Sequence, residues 1–128
     1  MEKRLIEFYA RQIVDAGYTV HKELGPGLLE SVYLFCFMEE LKIREIKAKQ
    51  EVIIPFFYRG NPLNKDFRLD LLVENEIIIE LKAVEIILPV HVAQLLSYLR
   101  LSNKRLGFLI NFNVSAFKDG IKRYVNNY

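Results

Sequence analysis

Between Leu5 and Leu24 the apolar residues Leu5, Ile6, Tyr9, Ile13, Ala16, Val20 and Leu24 recur at steps of three and four, the period of one face of an α-helix. Gly25-Pro26-Gly27 breaks the pattern, because proline lacks an amide donor and glycine favours turns. A second helix is predicted from about Leu28 to Leu41. The spacing then changes. Glu51 to Tyr58, rich in isoleucine and phenylalanine and closed by Arg59-Gly60-Asn61-Pro62, reads as a strand ending in a turn. Further strands are predicted at Asp66 to Val73 and Ile77 to Ala83. Pro89 suits the first turn of a third helix, Val90 to Leu101, where its missing N–H costs nothing. Arg105 to Asn111 is another strand. After the turn signal Asp119-Gly120, Ile121 to Val125 reads as a short strand, with a frayed helix as the alternative. The order α-α-β-β-β-α-β plus a short tail, without repeat, low-complexity segment or linker, predicts one α/β domain over residues 1–128, a mixed sheet flanked by helices.

Composition narrows the class. The chain has 128 residues, 52% hydrophobic and 27% charged, which suits a globular domain able to bury its own core. Met1-Glu2-Lys3-Arg4 leads into an amphipathic segment, and no apolar run approaches a membrane span, so a cytoplasmic protein with no membrane partner is expected. The single cysteine, Cys36, lies among Leu34, Phe35 and Phe37 and is expected to pack as a small apolar group. The formal charge is +2, but it is uneven. Residues 100–128 hold Arg100, Lys104, Arg105, Lys118, Lys122 and Arg123 against one acid, Asp119. A basic end beside an acidic remainder suits contact with phosphate on one side and a metal on the other, and equally suits a solvated charged face.

Candidate chemistry lies in Arg68-Leu-Asp70 and Glu80-Leu-Lys82, which set charges inside otherwise apolar strands. Alternation puts Arg68 and Asp70 on one face, with Phe67, Leu69, Leu71 and Val73 on the other; Ile78, Glu80 and Lys82 likewise share a face. A three-residue loop at Glu74, Asn75 and Glu76 would pair Val73 with Ile77 and set Asp70 opposite Glu80. A two-residue loop would put the carboxylates on opposite faces. Asn75 favours the odd loop, since asparagine tolerates left-handed backbone. Two facing carboxylates repel, and a hard cation such as Mg2+ neutralises them while keeping waters for substrate. The tripeptide Glu-x-Lys occurs three times, at Glu40, Glu45 and Glu80, so only its strand context distinguishes Glu80; an edge-strand ion pair is the competing reading. His91, Gln94 and Tyr98 form one stripe on the third helix. On the second, Tyr33 and Phe37 suit the core, and Glu30 also suits a first-turn acid.

Gly27-Leu-Leu-Glu30-Ser-Val-Tyr33, preceded by His21-Lys22-Glu23-Leu24-Gly25-Pro26, resembles the signature of the GxxExxY protein family. Asp70-Leu-Leu-Val, Ile79-Glu80-Leu81-Lys82-Ala83, Pro89-Val90-His91, Gln94-Leu95-Leu96-Ser97-Tyr98 and Leu109-Ile110-Asn111-Phe112 follow in that family's order and spacing. Through it the chain resembles the PD-(D/E)XK superfamily, mostly magnesium-dependent nucleases. The resemblance implies a restriction-endonuclease-like core, and metal ligation, by Mg2+ or Mn2+, at Asp70, Glu80, the Leu81 carbonyl and Glu30. It implies catalytic roles for Lys82, Asp70, Glu80 and Gln94, the last within a Gln-x-x-x-Tyr spacing similar to that of RecB-type nucleases. Tyr98, His91, Arg68 and Lys22 are the expected nucleic-acid contacts. Leu69 replaces the proline that precedes the aspartate in the superfamily's name.

The expected activity is therefore metal-dependent hydrolysis of nucleic-acid phosphodiester bonds, with DNA as substrate. One alternative is a module on the same fold that binds nucleic acid without cutting it. Another is a protein-interaction subunit, such as a homodimer, built on Phe56, Phe57 and Tyr58 at a sheet edge; alternation should bury at least one of these rings.

Overall fold

The helical period at the start of the chain forms α1, Lys3–Leu24, in a computed structural model that describes residues 1–63 and 67–128. Its buried residues, Ile6, Ala10, Ile13, Ala16, Gly17, Val20 and His21, repeat at three- and four-residue steps and make one inward face. Gly25 and Gly27 then take φ of 66° and 101°, backbone that glycine adopts without steric cost. The chain turns there into α2, Glu30–Ile43. Tyr33 fastens the turn: its hydroxyl donates to the Gly25 carbonyl at 2.6 Å and accepts the Leu28 N–H at 3.2 Å. Its ring stacks on Phe112 with centroids 4.7 Å apart.

Five strands form the main sheet: β1 (Ala48–Ile54), β4 (Phe67–Val73), β5 (Ile77–Lys82), β6 (Leu106–Asn111) and β7 (Ile121–Val125), in the order β1-β4-β5-β6-β7. Among the described residues only β5 and β6 run parallel; the other neighbours are antiparallel. A parallel pair needs a crossover, which α3, Pro89–Ser102, supplies. The β4–β5 loop is the three-residue one: Val73 faces Ile77, and Glu74 and Asn75 take φ of 50° and 59°. Helices α1 and α2 cover one face of the sheet, where Tyr33, Phe37 and Leu41 meet Leu71, Val73, Ile77, Ile79 and Ile110. On the other face, Leu95, Tyr98 and Leu99 of α3 meet Leu69, Leu72, Ile78 and Leu109.

Two boundaries differ from expectation. The first strand starts earlier, at Ala48, and stops at Ile54, because Pro55 brings no N–H to extend the ladder. Phe57 and Tyr58 instead form β2, which pairs with β3, Asn61–Pro62, in a separate hairpin. Asp66, the expected first residue of the next strand, lies outside the described residues. The tail is a strand: β7 pairs with β6 after a single 3-10 turn at Phe117–Asp119.

Gly120 lets the return to β7 pass close to β6. Its carbonyl accepts the Asn111 N–H at 2.7 Å, and a Cβ on it would lie 2.1 Å from the Asn111 carbonyl oxygen. Backbone cannot yield as a side chain does, so Gly120→Ala should destabilise the fold by about 2 kcal/mol or more. Urea unfolding would show it as a lower midpoint at unchanged slope; an unchanged midpoint would contradict this close approach.

Candidate active site

Asp70 lies where the sheet ladder is interrupted. On either side of it β4 pairs in unchanged register, Leu69 with Val52 and Leu71 with Gln50 on β1, and Leu71 with Ile79 on β5. Among the described residues Asp70 itself pairs in neither ladder. Opposite it on β1, Glu51 has φ of 50°, an uncommon conformation for a residue with a Cβ and one associated with functional sites. Both strands turn over at this point. Ala48, Leu71 and Val73 pack with the α1–α2 core, whereas Val52, Ile54, Phe67 and Leu69 pack with the α3 core. The expectation that Phe67, Leu69, Leu71 and Val73 share one face is corrected here, because alternation holds only through regular strand.

Carboxylates replace the missing ladder bonds. The Leu81 N–H donates to Asp70 Oδ2 at 2.9 Å, and the Asp70 N–H donates to Glu80 Oε1 at 3.4 Å. Each strand thus offers an acid to its neighbour's amide, and the two acids meet. Glu80 is only 4% exposed. Burial, then hydrogen bonding to Asp70 and the charge of Asp70, push its carboxyl up to about 9, while Lys82 opposes the shift. Glu30 is raised by burial and then by Asp70, again opposed by Lys82. Tyr98 is raised by burial and then by Glu80 and Asp70. The acid pair is therefore felt from both layers, from α2 through Glu30 and from α3 through Tyr98. Lys82, two residues beyond Glu80 and half-buried, supplies the positive charge at the pair.

Such a pair can be neutralised by a proton or by a cation. Among the described residues no three carboxylate, imidazole or thiol side chains stand together as a metal-holding group, so Glu30 does not join Asp70 and Glu80 in one. Two meeting carboxylates still suit a hard divalent cation, which can take one or two carboxylates and keep several waters. The carboxylate pair fits such an ion.

The remaining expected residues fall in different places. Tyr98 is buried, packed edge-on to Phe67 at 6.4 Å, whereas Gln94, one turn earlier on α3, is exposed. His91 caps its helix: its Nδ1 accepts the Leu88 N–H at 3.0 Å and its own N–H donates to the Leu88 carbonyl at 3.0 Å. Arg68 is exposed on β4 and lies 4.0 Å from the Glu51 carboxylate; Lys22 is exposed near the end of α1. Of the C-terminal cations, Arg123 pairs with Glu7, Arg105 donates to the Met1 carbonyl and Lys104 to that of Asn75. Lys104 and Arg105 adjoin the Leu106 end of β6, whereas Arg123 faces Phe108 in mid-strand and is committed to α1. That part of the basic tail is structural.

Sequence reasoning gave no role to Asn111, which proves to be a clasp. This buried residue accepts the Val84 and Asn113 N–H groups at 3.1 and 3.2 Å on Oδ1 and donates to the Val84 carbonyl at 2.9 Å. It faces Lys82 across the parallel pair and fixes the chain just after it. Its signal was a lone amide ending an apolar strand.

Comparison with known proteins adds the family. The model described as PD-(D/E)XK nuclease superfamily matches residues 7–124. The solved structure of SSO0001 is 24% identical, with a TM-score of 0.51 over 73% of this chain and 47% of its own length; that likeness shows the fold. The chain thus spans about half of that protein. No curated protein matches.

The acid pair has a consequence for pH. Unfolded, Glu80 titrates near its ordinary 4.5, and folded it titrates at about 9. Between these values the folded state holds a proton that the unfolded state has released, so stability falls as pH rises through that window. Chelator-stripped protein should lose stability between roughly pH 5 and pH 9, and Glu80→Gln should flatten the slope. Equal slopes in the two proteins, measured by urea unfolding, would rule out this burial of an acid.

Proposed function

We propose, from the premise that the chain belongs to the PD-(D/E)XK nuclease superfamily, that it is a metal-dependent nuclease acting on phosphodiester bonds, with DNA as substrate. The observation that carries this is the meeting of Asp70 and Glu80 at the ladder break, with Lys82 on the same strand. In this reading Asp70, Glu80 and the Leu81 carbonyl hold Mg2+ or Mn2+, and Glu30 contributes through water. Such an ion, when bound, polarises a phosphate oxygen and makes a bound water more acidic.

The chain's own residues set the remainder. Lys82 holds the phosphate or positions the attacking water. Asn111 fixes the segment that follows Lys82, so that the Lys82 ammonium meets the acids in one geometry. Tyr98 fills the wall of the site on the α3 side and Gln94 supports it from one turn away. His91 acts indirectly, by fixing the start of that helix. Arg68 and Lys22 are the exposed cations offered to the phosphate chain, and such contacts make binding salt-dependent.

Purified protein should cleave DNA in Mg2+ or Mn2+ and not in chelator. Asp70→Asn and Lys82→Ala should each slow cleavage by roughly 100-fold or more. Cleavage that all three proteins carry out equally would place the activity elsewhere. Salt-dependent binding without cleavage in either metal would instead identify a binding module on a nuclease fold.

A further inference from the structure

The β2–β3 hairpin presents rings to solvent. Phe57 and Tyr58 are 63% and 64% exposed, and the Arg59 guanidinium lies 5.9 Å from the centre of the Tyr58 ring. The turn is tight: Arg59 and Gly60 take φ of 51° and 82° between Tyr58 and its partner Asn61. Two positive φ values are what a two-residue hairpin turn of the right twist requires. The Leu63 N–H closes the base on the Phe56 carbonyl at 2.9 Å. The rings are thus displayed on a short, defined ribbon rather than an open loop.

That ribbon is tied to the acid pair. Alternation is expected to bury at least one ring of the run, but Phe56 is only half-buried, its ring 4.8 Å from Phe67, because the run leaves the main sheet for a two-residue strand. Phe67 in turn packs edge-on to Tyr98 at 6.4 Å, the tyrosine that feels Glu80 and Asp70. Phe67 and Asp70 lie on one strand, roughly 10 Å apart at the rise of a strand. An uninterrupted row of three rings therefore anchors the hairpin beside the site.

The chemistry of the tip selects an occupant. From Pro55 to Leu63 there is no acidic residue, and Arg59 supplies a positive charge, so nothing on the ribbon repels a phosphate chain. Consecutive on a strand, the two exposed rings lie on opposite faces of the ribbon, Tyr58 beside the arginine, and each suits the stacking of a base, which is tolerant of sequence because every base has a π-face. Bases within a duplex are already stacked on their neighbours and hide their faces. We propose that the β2–β3 hairpin is a stacking platform for the unpaired bases of single-stranded nucleic acid, held so that the strand runs on toward Asp70 and Glu80. This rests on the reading of that site as one for nucleic acid.

The test is fluorescence anisotropy in chelator, with a fluorescein-labelled oligothymidine and a duplex of equal length as probes. The wild type should bind the single strand more tightly. A Phe57→Ala/Tyr58→Ala protein with unchanged circular dichroism and unfolding midpoint should bind it roughly tenfold or more weakly, whereas Phe57→Tyr/Tyr58→Phe should restore binding. Equal single-strand affinity of the wild type and the alanine variant, or no binding by either, would overturn the proposal. So would sedimentation showing a wild-type dimer that the alanine changes dissociate, since the rings would then join two copies of the chain. Cleavage assays separate the two readings: a wild type that cuts with its platform changes silent would sink this inference alone. Ring-dependent binding by a protein that never cuts would support the platform and sink the nuclease.

Discussion

Two carboxylates in the middle of a sheet can be held together only if the backbone around them is also satisfied. At Asp70 the pairing with β1 skips a position and the pairing with β5 stops at Leu71 and Ile79, and between β4 and β5 two amides are taken up by the acids themselves, Leu81 N–H by Asp70 and Asp70 N–H by Glu80. A buried donor left without a partner would cost about 1–3 kcal/mol, so the interruption is tolerable only because these side chains are acceptors. The arrangement solves a backbone problem and creates an electrostatic one. Glu80 is buried beside a like charge and resists ionisation, and a cation between the acids would relieve what the fold imposes.

The rest of the architecture is arranged around that point. The Gly25–Gly27 turn, fastened by the Tyr33 hydroxyl, sets where α2 begins and hence where Glu30 stands. The crossover through α3 brings Tyr98 to the other face of the same sheet. Asn111 holds the chain after Lys82, and Gly120 permits the close return beyond it. Arg123, Glu7 and Tyr128 join the tail to α1. Hydrogen bonding to Arg123 and Tyr128 holds the Glu7 carboxyl down at about 2, so this clasp persists until the pH falls through that value. Stability of the termini and chemistry at the acids thus use different side chains.

Much of this was legible in the residues. The helical period gave α1, and Asn75 in a three-residue loop gave the register that sets Asp70 against Glu80, since a left-handed asparagine and an odd loop have a local signature. The turnover at Glu51 and Asp70 had none: nothing about a glutamate announces φ of 50°, and alternation therefore misplaced Phe67 and Leu69. The stripe of His91, Gln94 and Tyr98 was sound helical arithmetic, yet the imidazole caps Leu88 instead, because an orphan amide at a helix start competes for any nearby acceptor. The fate of the basic tail was hidden for a simpler reason. Glu7 and Arg123 are 116 positions apart, and no local pattern relates them.

Metal binding tests the central claim most directly, before any substrate is chosen. Isothermal titration of Mn2+ into chelator-stripped protein should show a saturable site that weakens in both Asp70→Asn and Glu80→Gln. Loss of an outer partner of a metal ligand already costs roughly 10–100-fold, and loss of a ligand should cost at least that. Binding that is undiminished in Glu80→Gln, or absent from the wild type, would contradict the account.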